Sequence, residues 1–340
     1  MLKWFAVFCL LVLPLFTSAQ ETTIRGFAHF ETLYDIEDER LNFSIGEQDL
    51  FITSDLTDRI TFLGESVFKP SSTSSTGYNV SIERIIIKYN IKGNHNLLFG
   101  KHHTPLSYWN DTYHHGRVFF PTINRPQLFS DQIFDLHTTG MSIQGLNLGK
   151  YRFGYELMLG NGRSGGDISD DNLAKSVTAR IQMKPADPTT IGISGYYDHI
   201  SPTEGGGHSH GSGQLGDSLA LDEMIYSFYL AHFAKKFEFL AEASYAINDY
   251  ARFDASNTVA MYAYSGYVLD NKWVPYVRVD YIAYQDDKER YYNANDKLGL
   301  TAGLRYEFNF LAVAKLEYSY LETETAGSYN QINFQFAIGF

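Results

Sequence analysis

Alternation leaves this chain few choices of fold. Over 297–310 one set of positions holds Leu298, Leu300, Ala302, Leu304, Tyr306, Phe308 and Phe310. The positions between hold Gly299, Thr301, Gly303, Arg305, Glu307 and Asn309. Over 236–248, Phe237, Phe239, Ala241, Ala243, Tyr245 and Ile247 oppose Lys236, Glu238, Glu242 and Ser244. At the C-terminus Ile332, Phe334, Phe336, Ile338 and Phe340 oppose Gln331, Asn333, Gln335 and Gly339. Successive side chains of a strand point to opposite faces, so each segment reads as a strand with one apolar and one polar face.

The same reading gives strands near 22–34, 43–55, 59–69, 78–91, 95–102, 135–147, 150–160 and 174–184. Further strands fall near 189–200, 224–234, 236–248, 257–269, 272–285, 297–309, 311–322 and 328–340, about sixteen in all. Several are ragged: 78–91 carries Arg84 and Lys88 on a face shared with Val80, Ile82 and Ile86. The connections alternate. Tight ones fall around 56–58, 92–94, 149, 186–188, 235, 270–271 and 310. Longer ones, rich in Gly, Ser, Asp and Glu, fall at 35–42, 70–77, 161–173, 201–223 and 286–296. A soluble sandwich also alternates, but it has no reason to keep long segments with Arg and Glu on an inner face and a two-stroke rhythm of turns. The pattern predicts an all-β fold: a transmembrane antiparallel barrel with lipid outside, water inside, and both termini on the short-turn side.

The first residues, MLKWFAVFCLLVLPLFTSAQ, read as a secretory signal: Lys3, an apolar run from Trp4 to Phe16, and a small-residue cleavage site at Thr17-Ser18-Ala19. The signal is expected over 1–19 and a single barrel domain over 20–340. Cys9, the only cysteine, lies within that leader, so the mature chain offers no disulfide or thiolate metal site. A closed barrel holds such a chain by pairing every strand. A net charge of −12 excludes nucleic acid as a partner.

The leader, the strand count and the terminal segment YNQINFQFAIGF resemble a Gram-negative outer-membrane β-barrel porin of the general-porin type. The resemblance implies passive conduction of small hydrophilic solutes, or ion transport, through a channel in the cell outer membrane. It implies a surround of outer-membrane lipid, homotrimer formation, and Phe340 as the signal read by the barrel-insertion machinery. No cofactor and no catalysis are implied. A third outer loop folded into the lumen would set the constriction.

Residues 100–135, GKHHTPLSYWNDTYHHGRVFFPTINRPQLFSDQIFD, fall at that third position. The stretch is the longest without a strand period, and it is too aromatic for disorder. Lys101, Trp109, Asp111, Arg117, Arg125 and Asp131 are its candidate constriction residues. By strand parity Arg25, Glu31, Glu242, Arg278, Asp280, Arg305, Glu307, Lys315 and Glu317 are expected on the pore wall. His102, His103, His114, His115, His208 and His210 are weak metal candidates, because neighbouring strand residues point apart. The glycine patterns at 162–166 and 211–216 lack the strand and helix context their chemistry needs. A hydrolase using Ser244, His29, His199 or Asp198, or an adhesion or metal-binding barrel, is the alternative.

Overall fold

A computed structural model of the chain describes residues 21–113, 116–163, 170, 172–201, 220–285, 288–292 and 294–340. The leader expected over 1–19 lies outside them, as do His114, His115, His208, His210 and most of both glycine patterns. The first eight strands are β1 (Glu21–Asp35), β2 (Arg40–Asp55), β3 (Ile60–Pro70), β4 (Tyr78–Lys92), β5 (His95–His103), β6 (His137–Leu148), β7 (Phe153–Gly160) and β8 (Ser176–Ala186). The rest are β9 (Thr189–Ile200), β10 (Leu221–Phe233), β11 (Phe237–Tyr250), β12 (Ser256–Tyr267), β13 (Trp273–Tyr284), β14 (Lys297–Asn309), β15 (Ala312–Thr323) and β16 (Gly327–Gly339). Each pairs antiparallel with its sequence neighbours, and β1 closes on β16 in a register running from Phe27↔Gly339 to Asp35↔Gln331. The closed sixteen-strand sheet leaves no backbone edge to satisfy.

The alternation is realised as read. On β11, Glu238, Glu242, Ser244 and Asn248 are buried inside while Phe237, Ala243 and Tyr245 face out. Short connections at 56–59, 93–94, 149–152, 187–188, 234–236, 268–272 and 310–311 gather at one end, and 71–77 with the described residues of 104–136, 161–175 and 285–296 at the other. The expected long connection at 35–42 shrinks to 36–39, because Leu41, Phe43 and Ile45 extend the outward apolar stripe of β2. At the short end Trp273 meets Tyr306 in a tilted contact at 4.4 Å, Tyr306 meets Phe308 at 4.7 Å, and Phe308 meets Phe336 at 5.7 Å. Such an aromatic girdle sits where a lipid interface would be.

The raggedness of β4 has a specific cause. The β3–β4 register runs Glu65↔Arg84 and then Ser66↔Ile82, so Glu83 is an extra residue in a β-bulge. The bulge swaps the parity of the strand. Val80 and Ile82 face out below it in sequence, Ile85, Ile87 and Tyr89 face out beyond it, and Glu83 and Arg84 both turn inward. Arg84 lies 5.2 Å over the Phe51 ring and bonds the buried carboxylate of Glu65.

Candidate functional site: a loop folded into the lumen

The connection 104–136 leaves the wall between β5 and β6 and turns into the barrel. The β4–β5 ladder stops at Ile85↔Lys101, whereas β5–β6 continues to His103↔His137, so the end of β5 separates from β4 where the loop enters. The descending limb carries α1 (Tyr108–Thr112), capped by the Ser107 hydroxyl on the Asn110 amide at 3.1 Å. The limb bottoms where Val118 packs on Val313 and Ala337, near the short ends of β15 and β16, and Phe119 meets Phe27 of β1 edge-on at 5.4 Å. The chain then rises through Ile123 and α2 (Gln127–Ser130) back to β6.

An apolar and aromatic core joins the loop to the β9–β13 side of the wall. Leu106, Trp109, Phe120, Leu128, Phe129, Ile133 and Phe134 pack there against Tyr196, Ile225, Leu240, Tyr262 and Tyr264. This explains why parts of the inner face are apolar, as at Leu240 and Ile282: they face the loop and not water.

Charged groups of the wall read the loop's backbone with a consistent sign rule. Carboxylates accept from its amides. Glu242 takes the N–H groups of Tyr108 and Trp109, both at 2.9 Å; Glu317 takes Ile123 at 2.6 Å; Asp280 takes Gln127 at 2.9 Å. Cations donate to its carbonyls. Arg278 reaches Asn124 O at 2.7 Å, Arg305 reaches Pro121 O at 3.2 Å, and Lys315 reaches Arg117 O at 2.7 Å. Tyrosine hydroxyls take up further acceptor capacity on the wall carboxylates, with Tyr262 on Glu242 at 2.5 Å and Tyr276 on Glu317 at 2.8 Å. Every charge so buried is paired or hydrogen-bonded, as the cost of desolvating it requires.

Six of the expected wall residues, Glu242, Arg278, Asp280, Arg305, Lys315 and Glu317, therefore bind the loop. Glu31 is on the inner face but bonds His29 at 3.2 Å and Gln335 at 2.7 Å. Glu307 pairs with Arg305 at 2.9 Å, and Arg25 is exposed near the short end of β1.

Among the expected constriction residues, Lys101 needs correction. It shares its register face with Ile85, which is outward, and its ammonium donates to the Ile82 carbonyl at 2.9 Å beside the split in the ladder. Trp109 is 1% exposed and anchors the loop to the wall; it does not line an open passage. Asp111 pairs with Arg180 at 3.0 Å. Asp131 holds Lys297 at 2.5 Å and accepts from Tyr284 at 2.9 Å. Arg117 and Arg125 line, with Asp131, a cavity of about 600 Å³ between the loop and β14–β16.

His103 and His137 are cross-strand partners with rings 5.3 Å apart, and His137 stands 3.6 Å from Glu83; His102 turns to the opposite face beside Thr138. The candidate hydrolase residues are not brought together. Ser244 bonds Ser227 at 2.7 Å, His199 bonds Asp222 at 2.8 Å, and Asp198 takes the Arg163 amide at 2.8 Å.

One cluster has no signal in the sequence. Arg163, from the connection after β7, bonds Glu223 at 2.8 Å and the carbonyls of Gln132, at 3.0 Å, and Ile133. Its guanidinium also lies 5.6 Å over the rings of both Tyr291 and Tyr292. Glu289, from the same connection as those tyrosines, receives Asn248 at 3.2 Å, Tyr250 at 2.8 Å and Ser256 at 2.5 Å. Residues of two long-end connections, 161–175 and 285–296, are thus clasped over the rising limb. Beside the clasp, burial and the nearby carboxylates of Asp198 and Glu223 push Asp135 up to about 7, against the pull of Arg163.

No protein-family model matches the chain, and no curated protein matches it either. Solved structures do. A trimer form of OmpT, an outer-membrane protein of Vibrio cholerae, superposes with a TM-score of 0.67 at 12% identity, over 95% of this chain and 100% of that one. An anion-selective porin from Comamonas acidovorans gives 0.69 at 10% identity, over 94% and 100%. The outer-membrane channel DcaP of Acinetobacter baumannii gives 0.67 at 15% identity, over 95% and 98%. The fold is that of outer-membrane porin barrels.

Proposed function

We propose that the chain is an outer-membrane channel that passes small hydrophilic solutes by diffusion, with 104–136 as the element that narrows it. The observation that carries this is the loop's placement. It lies inside the wall, fixed along both limbs by buried charges from β11, β13, β14 and β15. A fixed loop of this kind sets a passage by size and charge, with no moving part or bound cofactor. The outward apolar face and the aromatic girdle suit a lipid surround, and the channel acts without catalysis. The trimeric form described for the Vibrio protein extends to this chain as a homotrimer. The test is electrical: folded protein added to planar bilayers is expected to give stepwise conductance. Changing Arg117 and Arg125 together to Ala is expected to shift the reversal potential toward cations. Folded barrels that insert and carry no current would refute the channel.

A further inference from the structure

A file of uncharged polar side chains runs along β16. Tyr329, Gln331 and Asn333 take alternate positions, about 7 Å apart along the strand, and pair with Leu321, Ser319 and Glu317 of β15. Glu317 binds the in-folded loop, so this file is on the inward face. Tyr329 and Gln331 line the cavity of about 600 Å³ between the loop and β14–β16. Asn333, with Asn42 of β2, lines a second cavity of about 210 Å³. Asn124, exposed on the loop, lines both, so the two adjoin at that residue. The fixed charges along this path compensate one another. Lys297 is held by Asp131 at 2.5 Å, Glu47 stands 4.0 Å from Arg117, and Arg125 has Glu47, Asp49 and Glu83 around it. Glu31, in the smaller cavity, is bonded by His29 at 3.2 Å and Gln335 at 2.7 Å. Asn333 is different. It is 4% exposed, yet its Nδ2 has no hydrogen-bond partner among the described residues. A buried donor in that state is destabilising, and an acceptor carried in by a solute would relieve it.

We infer that the two cavities form one binding lane for a small neutral saccharide, held by Asn124, Gln331 and Asn333 with the Tyr329 ring against its carbon face. The assignment rests on the channel reading, whose solute class it narrows. A sugar hydroxyl both donates and accepts, and a carboxamide offers both roles in one side chain. An ion entering the lane has to compete with pairs already formed, whereas a neutral polyol needs only these amides. Tyr329, 36% exposed at the mouth of the lane, adds the apolar face that the carbon-bound hydrogens of a sugar ring can cover. A few convergent polar groups beside apolar surface are what a small-molecule site requires.

Saturation-transfer NMR on the folded barrel tests this, with maltose as the probe and glutarate as the anionic comparison. The protein is held in an amine-oxide detergent, which carries no sugar. Maltose is expected to give a saturable signal on its ring protons, and glutarate none. Asn124→Ala leaves the backbone carbonyl that Arg278 uses, and is expected to weaken maltose binding about three- to tenfold, as is Gln331→Ala. Asn333→Leu is expected to do the same, and Asn333→Ser, which keeps a donor and an acceptor, to retain part of the affinity. Lys235→Gln, at a short-end turn, is expected to leave binding unchanged. Heat-modifiable migration on gels checks that each variant is folded. Absence of a saturable maltose signal from folded wild-type protein overturns the inference even where the same preparation conducts. So does glutarate binding as tight as that of maltose, and so does maltose binding that Asn124→Ala and Gln331→Ala both leave intact. Saturable maltose binding by a barrel that carries no current would uphold the site while removing the channel.

Discussion

Glu242 is the sharpest lever on the loop. Its carboxylate sits on the wall strand β11 and accepts the Tyr108 and Trp109 amides at 2.9 Å each and the Tyr262 hydroxyl at 2.5 Å. Hydrogen bonds to a charged group contribute about 1.5–3 kcal/mol each, and a buried donor left without an acceptor costs about 1–3 kcal/mol. Glu242→Ala strands these donors at once, so it is expected to weaken attachment of the descending limb by on the order of 3–6 kcal/mol. Glu242→Gln keeps an acceptor oxygen and is expected to lose less than half of that. Neither change touches the sheet ladder, so the barrel itself is expected to persist. The reporter is built in. The sequence has three tryptophans, of which Trp4 lies in the expected leader, Trp273 is on the outer face and Trp109 is buried under the loop. In a Trp273→Phe background, Trp109 emission is expected to be blue and shielded from acrylamide. It is expected to shift red and become quenchable with Glu242→Ala, and to change little with Glu242→Gln. Unchanged emission and quenching in the alanine variant would refute the claim that wall carboxylates hold the loop.

Other consequences follow from the same geometry. Arg278→Gln removes donors to Thr122 and Asn124, at 2.6 and 2.7 Å, and is expected to raise open-channel current noise in bilayer recordings, with Arg278→Lys intermediate. Asp135, raised to about 7, binds its proton more tightly folded than unfolded; its contribution is full below the ordinary carboxylate range and fades as pH rises through 7. The midpoint of thermal unfolding is therefore expected to fall between pH 5 and pH 8, and Asp135→Asn to flatten that fall. Gly162 has φ of +76°, and a Cβ there would lie 2.4 Å from the Asp198 carboxylate that takes the Arg163 amide. Gly162→Ala is expected to cost about 1–3 kcal/mol and to speed hydrogen exchange at 130–135.

The wall was legible because period two is a one-dimensional signal: each strand announces its faces without reference to its neighbours. Glu242, Arg278, Asp280, Arg305, Lys315 and Glu317 could be assigned inward from parity alone. Parity failed where geometry departed from the plain strand. The Glu83 bulge reversed β4 midway. Lys101 falls in the loop by its position in the chain, whereas it pairs in register with the outward Ile85. The loop's position could be read from its place in the count, but its contacts could not. The Arg163 clasp joins residues far apart in sequence, as at Tyr292 to Glu223, and no local pattern marks such a meeting. One signal was present and unread. Tyr262, Tyr264 and Tyr276 alternate on polar faces, where a buried hydroxyl implies an acceptor opposite.

Deleting 104–132 tests the central claim most directly, that this connection is a fixed constriction inside the wall. Wild-type protein in planar bilayers is expected to conduct in small uniform steps. The deletion, with the barrel still folded, is expected to give larger steps with weaker discrimination between anions and cations. Equal conductance and equal selectivity in the two proteins would contradict it, and would place the loop above the rim.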